Sequence, residues 1–223
     1  MKKALRAFSL IVFTSFTLSG CSLYKLYQNY QSDIVYKDWS TEQLYEEGRQ
    51  AMQDKDYGRA IQLYEILEAK VPLSENMKRQ INLDIIYAYY KFNEPESALV
   101  EIVRFVNRYP GYPQMDYVYY LRGMIHFDMG ASWLDRYVTV VDMSERSQSS
   151  ALRAFRSFER LLNRYPKSEY AADARQRMIY LRNNLAKYEL HVADFYMRRG
   201  AYLAAARRAQ YVVERYQGAP SMP

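Results

Sequence analysis

The chain holds few of the side chains from which catalytic and metal sites are assembled. It has a single cysteine, Cys21, and two histidines, His126 and His191. The histidines fall in separate helical stretches. Neither belongs to a His-x-x-x-His spacing, which would set two imidazoles on one helix face toward a metal ion. No glycine-rich phosphate loop and no nucleophile elbow occurs. The acidic residues are spread along helix faces, where solvation accounts for them, and no pair is spaced to face one cleft. An enzyme is therefore not expected, and neither is a metal or cofactor. What the chain does have is tyrosine, 24 residues of it, interleaved with arginine. Tyrosine joins a large apolar ring to a polar tip and suits wet interfaces, while the planar fork of arginine fits carboxylates. The chemistry on offer is recognition.

These side chains are carried by a spacing that recurs four times. An alanine is followed four residues later by another apolar residue, and eight after that by a proline, as in Ala60/Tyr64/Pro72, Ala98/Ile102/Pro110 and Ala154/Phe158/Pro166. The fourth copy, Ala205/Ala209/Gln217, lacks the proline. An offset of four places both residues on one helix face. The proline then stops the helix, because it has no N–H to donate and disfavours helical geometry just before it. A small alanine lets a partner helix approach, and the larger residue fills the groove beside it. This is the second half of a tetratricopeptide (TPR) hairpin, and the expected fold is an all-α TPR superhelix of helical hairpins.

The amino terminus reads differently. Lys2, Lys3 and Arg6 form a positive region, Ala7 to Leu18 an apolar one, and Leu18-Ser19-Gly20 a small-residue cleavage site, so residues 1–20 read as a signal peptide. The apolar run is too short to anchor as a stable span. Leu18-Ser19-Gly20-Cys21 is similar to a bacterial lipobox, in which Cys21 becomes the lipidated first residue of the mature chain. The lipid on Cys21 is the only covalent group expected. Ser22 is not aspartate, which by analogy with bacterial sorting places the anchor in the outer membrane. Removing the leader takes three positive charges from a formal +6 and leaves +3, too modest a charge to argue for nucleic acid.

Residues 21–39 read as a lipidated tether and 40–217 as the repeat domain. Ser40 and Gln43 make a capping box for the first helix, and Gly48 sits where the two helices of a hairpin come closest. The hairpins are expected over about 40–72, 75–110, 115–166 and 168–217. The third carries about nineteen extra residues, because the alanine expected at position 135 is found at Ala154. That insertion, 130–149, is either a binding loop or a segment without fixed structure. From Ser168 to Arg199 neither glycine nor proline interrupts one long helix, which ends with Arg198, Arg199 and a C-cap Gly200. The tail 218–223 offers no polar terminal cap, so a partner or further sequence is expected to cover the last hairpin.

Several words of this sequence go beyond a generic TPR pattern. They are Leu83-Asp84-Ile85-Ile86-Tyr87-Ala88-Tyr89-Tyr90-Lys91, Asp116-Tyr117-Val118-Tyr119-Tyr120-Leu121-Arg122-Gly123, Leu185-Ala186-Lys187-Tyr188-Glu189, and Tyr196 through Ala201. Together with the lipobox they resemble the BamD (ComL) family of TPR lipoproteins, part of the outer-membrane β-barrel assembly machine. The resemblance implies a lipid-anchored periplasmic scaffold of five hairpins. Its amino-terminal repeats would recognise the carboxy-terminal signal of unfolded outer-membrane proteins. Its carboxy-terminal repeats would dock the BamA-type barrel subunit, and other Bam lipoproteins would join the complex. This sequence supplies four hairpins.

On that reading, a client ending in an aromatic residue and a carboxylate would lay its rings against Tyr87, Tyr90, Tyr119 and Tyr120, with Arg104 or Arg122 meeting the charge. Packing between hairpins is the competing role for the same tyrosines. Arg198 and Arg199 are candidates for docking a partner, with stabilisation of their own helix end, worth ~0.3–1 kcal/mol, as the alternative. Two rival readings share the architecture: a pilotin-type lipoprotein for secretin or pilus assembly, and a periplasmic scaffold for cell-wall enzymes.

Overall fold

The computed structural model describes residues 36, 38–70, 73–130 and 148–219. The leader, Cys21, nearly all of the tether, Pro72, positions 131–147 of the insertion and residues 220–223 lie outside the described residues. Among the described residues there are helices and no strand. In chain order the helices are α1 (Thr41–Gln53), α2 (Tyr57–Lys70), α3 (Glu75–Lys91), α4 (Pro95–Arg108), α5 (Met115–Gly130), α6 (Gln148–Arg164), α7 (Ala171–Arg198) and α8 (Tyr202–Arg215). They follow one another as the all-α helical hairpins that the alanine–proline spacing predicts. The described residues form two compact units that divide between Ile81 and Asn82, inside α3.

In the first unit, Ser40 caps α1: its hydroxyl accepts the Gln43 N–H at 3.2 Å, and the Gln43 side chain accepts the Ser40 N–H at 2.9 Å. α1 and α2 bury Leu44, Ala51, Ala60, Leu63, Tyr64 and Leu67. Gly48 is required by the Tyr64 ring, since a Cβ there would lie 2.5 Å from it. The third hairpin repeats the device, and a Cβ on Gly123 would lie 2.4 Å from the Phe158 ring. Tyr64 and Phe158 are both fully buried. In the second hairpin the same spacing brings Ile86 and Ile102, each fully buried, so two medium side chains stand in for glycine plus a ring. Each such side chain contributes ~1.5–3 kcal/mol of burial.

Three hairpins turn in the same way. Lys55, Asn93 and Gly200 adopt positive φ of 62°, 64° and 72°. The next residue's N–H then returns to a carbonyl of the preceding helix: Asp56 to Ala51, Glu94 to Tyr89 and Ala201 to Tyr196, each at 2.9 Å. This left-handed helix end satisfies carbonyls that the helix itself leaves open. Each turn residue stands five positions before its repeat alanine, Ala60, Ala98 or Ala205.

In the second unit, one core joins α3 to α7 through Leu83, Ile86, Ile102, Phe105, Val118, Ile125, Phe158, Leu161 and Leu181. A smaller cluster, Leu185, Ala186, Val212, Tyr216 and Ala219, joins the second half of α7 to α8. α7 begins at Ala171, three residues later than expected. The Ser168 hydroxyl donates to Asp116 at 2.7 Å and accepts the Tyr170 N–H at 3.2 Å, holding this stretch in a turn. α6 starts at Gln148, just inside the expected insertion.

Candidate functional site

The aromatic residues of α3, α5 and α7 come together on one face of the second unit. Tyr90 of α3 donates its phenol hydrogen to the Asp128 carboxylate of α5. Burial first, and then this bond, push the Tyr90 hydroxyl well above its usual pKa. Tyr87 meets Tyr90 edge-on with centroids 6.4 Å apart, and the Lys91 ammonium lies 5.4 Å and 4.9 Å from the two rings. From α5, Tyr120 stacks on Tyr170 at 4.7 Å and donates to Asp173 at 2.7 Å. Tyr117 lies 5.7 Å from the same Tyr170 ring, and burial pushes its hydroxyl up to about 12.

Asp173 also accepts the Arg177 Nε–H at 2.5 Å. Burial alone would raise the Asp173 carboxyl, but the hydrogen bonds from Arg177 and Tyr120 outweigh it and hold the pKa below the usual value. The Arg177 guanidinium sits 4.9 Å from the Phe127 ring, which packs on Tyr180 at 5.7 Å. Tyr120 to Asp173 spans 53 positions and Asp116 to Ser168 spans 52, so α5 and α7 run parallel in a fixed register. The resulting face presents rings, phenol oxygens, two cations, Lys91 and Arg177, and the carboxylates of Asp128 and Asp173.

The residues singled out by sequence divide among four places. Tyr87, Tyr90 and Tyr120 belong to this tyrosine face, where Tyr90 and Tyr120 also tie neighbouring hairpins together. Tyr119 turns toward α6 instead: it is buried, its hydroxyl accepts from Arg164 at 3.2 Å, and its ring lies 6.0 Å from Tyr165. Arg122 is half-buried on the same helix, and burial first, then the charge of Arg160 on α6, lower its pKa. Arg104 is exposed on α4, a second helix, and pairs with Glu101 at 2.6 Å.

Arg198 and Arg199 stand at the end of α7. Arg198 pairs with Asp194 at 2.8 Å, and the Arg199 guanidinium lies 4.5 Å from the Phe195 ring. An open hollow beside them is lined by Tyr188, His191, Val192, Phe195 and Tyr196 among others. Phe195, Met197, Tyr202 and Leu203 are exposed nearby in sequence. Cys21 lies outside the described residues.

Asp128, Tyr170, Asp173 and Arg177 were missed by the sequence reading. Each pairs with a tyrosine or phenylalanine across helices, and only the parallel register of the first helices reveals such pairs. Among the described residues no group of three or more His, Cys, Asp or Glu side chains could hold a metal ion. Likewise, no helix there is long and apolar enough to cross a membrane.

A family model described as YfiO, outer membrane lipoprotein, matches residues 37–223. The chain is 44% identical over 183 residues to the outer membrane protein assembly factor BamD of Neisseria meningitidis serogroup A, covering 82% of this chain and 68% of that protein. It is 38% identical over 201 residues to the BamD of Vibrio cholerae, covering 90% of this chain and 83% of the relative. With the BamD of Pasteurella multocida the identity is 32% over 214 residues, covering 96% and 78%.

Proposed function

The chain belongs to the YfiO family of outer membrane lipoproteins, and from that premise we propose that it is an outer-membrane protein assembly factor working by binding. In this reading a lipid on Cys21 anchors it to the outer membrane, with the helical hairpins facing the periplasm. The tyrosine face of α3, α5 and α7 receives an extended β-barrel client before insertion. The end of α7, with Arg198, Arg199 and the exposed aromatic residues beside them, docks onto a BamA-type barrel subunit, and other Bam lipoproteins complete the assembly.

The sequence likeness to BamD proteins carries this reading. The structure supports it with a face built for contact: tyrosine rings lie beside Lys91 and Arg177, so an aromatic side chain and a carboxylate could be met within a few residues of each other. The exposed ion pair at Arg198 contributes little stability by itself, which leaves that arginine available to exchange its partner.

Affinity purification of the full chain from outer membranes tests the assignment. A BamA-type barrel protein is the expected companion, and recovery of a secretin or of cell-wall enzymes instead would overturn it. Cys21→Ser is expected to move the protein from the membrane to the soluble periplasmic fraction. A photo-reactive residue at Tyr87 is expected to cross-link an unfolded barrel protein that carries its terminal carboxylate, with the yield falling when that end is removed.

A further inference from the structure

We propose that the seam between α5 and α6 is a binding site for an extended acidic segment of a partner polypeptide. Along this seam the two helices run antiparallel: the Tyr119 hydroxyl accepts from Arg164 at 3.2 Å, the charge of Arg160 acts on Arg122, and that of Arg153 acts on His126. α6 carries Arg153, Arg156, Arg160 and Arg164 with one acidic residue, Glu159. Among the described residues no carboxylate pairs with any of these four arginines or with Arg122. Among the described residues Arg49, Arg59, Arg104, Arg177, Arg198 and Arg208 each hold a carboxylate, while others such as Arg108, Arg207 and Arg215 hold none. What sets α6 apart is that four such arginines share one helix face.

Like charges kept side by side without a counter-charge repel one another, and an anion between them reverses the sign of that interaction. Burial and Arg160 both press on the Arg122 guanidinium, lowering its pKa. A second observation marks the same place. His126 is 6% exposed, and its Nδ1 is buried without a hydrogen-bond partner. The imidazole feels the charges of both Arg153 and Arg122, so a carboxylate seated against those guanidiniums would change the field at its ring.

The shape of the site selects a polypeptide over a lipid surface. Arg153 to Arg164 spans eleven residues of helix, about 16 Å at 1.5 Å per residue, in a single file. An extended chain advances about 3.3 Å per residue, so five or six residues would run the length of the file with side chains alternating toward it. Arg122 is half-buried while the α6 arginines are exposed, so a single carboxylate side chain can lie against both, whereas a flat array of headgroups meets only the exposed α6 arginines. This site is separate from the tyrosine face, so either can fail without the other.

Fluorescence anisotropy with the full chain in detergent and a ten-residue peptide of alternating glutamate and glycine tests the proposal. Arg122→Gln combined with Arg160→Gln is expected to weaken binding by about tenfold. Arg49→Gln combined with Arg59→Gln removes the same charge from α1 and α2 and is expected to change binding by less than about twofold. Arg160→Lys, which keeps charge and loses the planar fork, should fall between them. The His126 ring resonances are expected to shift when peptide is added, while those of exposed His191 hold still. Thermal unfolding of each variant, followed by circular dichroism, checks that it folds. Equal losses from the two double variants would overturn the site by showing that only net charge is read. Binding of inorganic phosphate or phosphatidylglycerol vesicles that depends on Arg122 and Arg160, with no peptide binding, would overturn the assignment to a polypeptide.

Discussion

At His126 burial and two guanidiniums act in the same direction. Desolvation first, then Arg153 and Arg122, depress the imidazole from 6.5 to about 4. The folded chain therefore keeps this ring neutral at pH 7, while the unfolded chain takes up a proton as soon as the pH falls below about 6.5. Stability contributed here is intact above 6.5, declines as the pH drops, and levels off below about 4. The swing is on the order of 3 kcal/mol, since a tenfold change in proton affinity is worth about 1.4 kcal/mol. Replacing the ring with a side chain that does not titrate, His126→Asn, is expected to flatten the dependence. Urea midpoints at pH 4.5 and 7.5 should differ less in the variant than in the parent, and an unchanged difference would remove His126 as the cause. His126 stands three residues after Gly123, on the side of α5 that packs, which accounts for its burial. Of its two arginine neighbours, Arg122 stands four residues earlier on the same helix and is legible, whereas Arg153 comes from α6, beyond the insertion, and is not.

Among the elements, the helices were readable and their turns largely were not. Alanine at the crossing and an apolar residue four later define each second helix through packing, and in three of the four a proline ends it through hydrogen-bond loss; both signals are local in sequence. The turn before each second helix follows the same geometry in three hairpins but is occupied by Lys55, Asn93 and Gly200. Only the glycine announces a left-handed residue; lysine gives no such signal and is held there by the bonds on either side. The start of α7 was misplaced for a related reason, because the Ser168 hydroxyl finds Asp116 from a different hairpin. A lysine with φ of 62° carries steric strain that glycine avoids. Lys55→Gly is therefore expected to stabilise the first unit by about 0.5–1 kcal/mol, and Asn93→Gly by less, since asparagine tolerates this region better. Denaturant midpoints measure both, and a loss of stability in Lys55→Gly would show that the lysine side chain supports the turn.

On the scale of the whole molecule, the division of the core decides how the second unit opens. Residues of α3 to α7 share one cluster around Phe158, whereas α8 and the second half of α7 depend on Leu185, Ala186, Val212 and Tyr216. α7 passes through both, so its two halves answer to different cores. Helical repeat arrays unfold by neighbouring units, because each unit's stability comes from its own packing and its contacts with the next. Tyr216→Ala removes a large buried side chain from the smaller cluster and is expected to cost about 3–5 kcal/mol there. Hydrogen exchange should then accelerate in α8 and in residues 185–198, while amides of α4 and α5 keep their protection. Phe158→Ala should do the reverse in part, exposing α5 and α6 first. Uniform loss of protection from 82 to 219 in the Tyr216 variant would mean that the unit opens as one block. The expected pattern would make the end of α7, where Arg198 and Arg199 stand beside exposed aromatic residues, the segment most easily rearranged, and that suits a surface whose proposed task is to close on a partner.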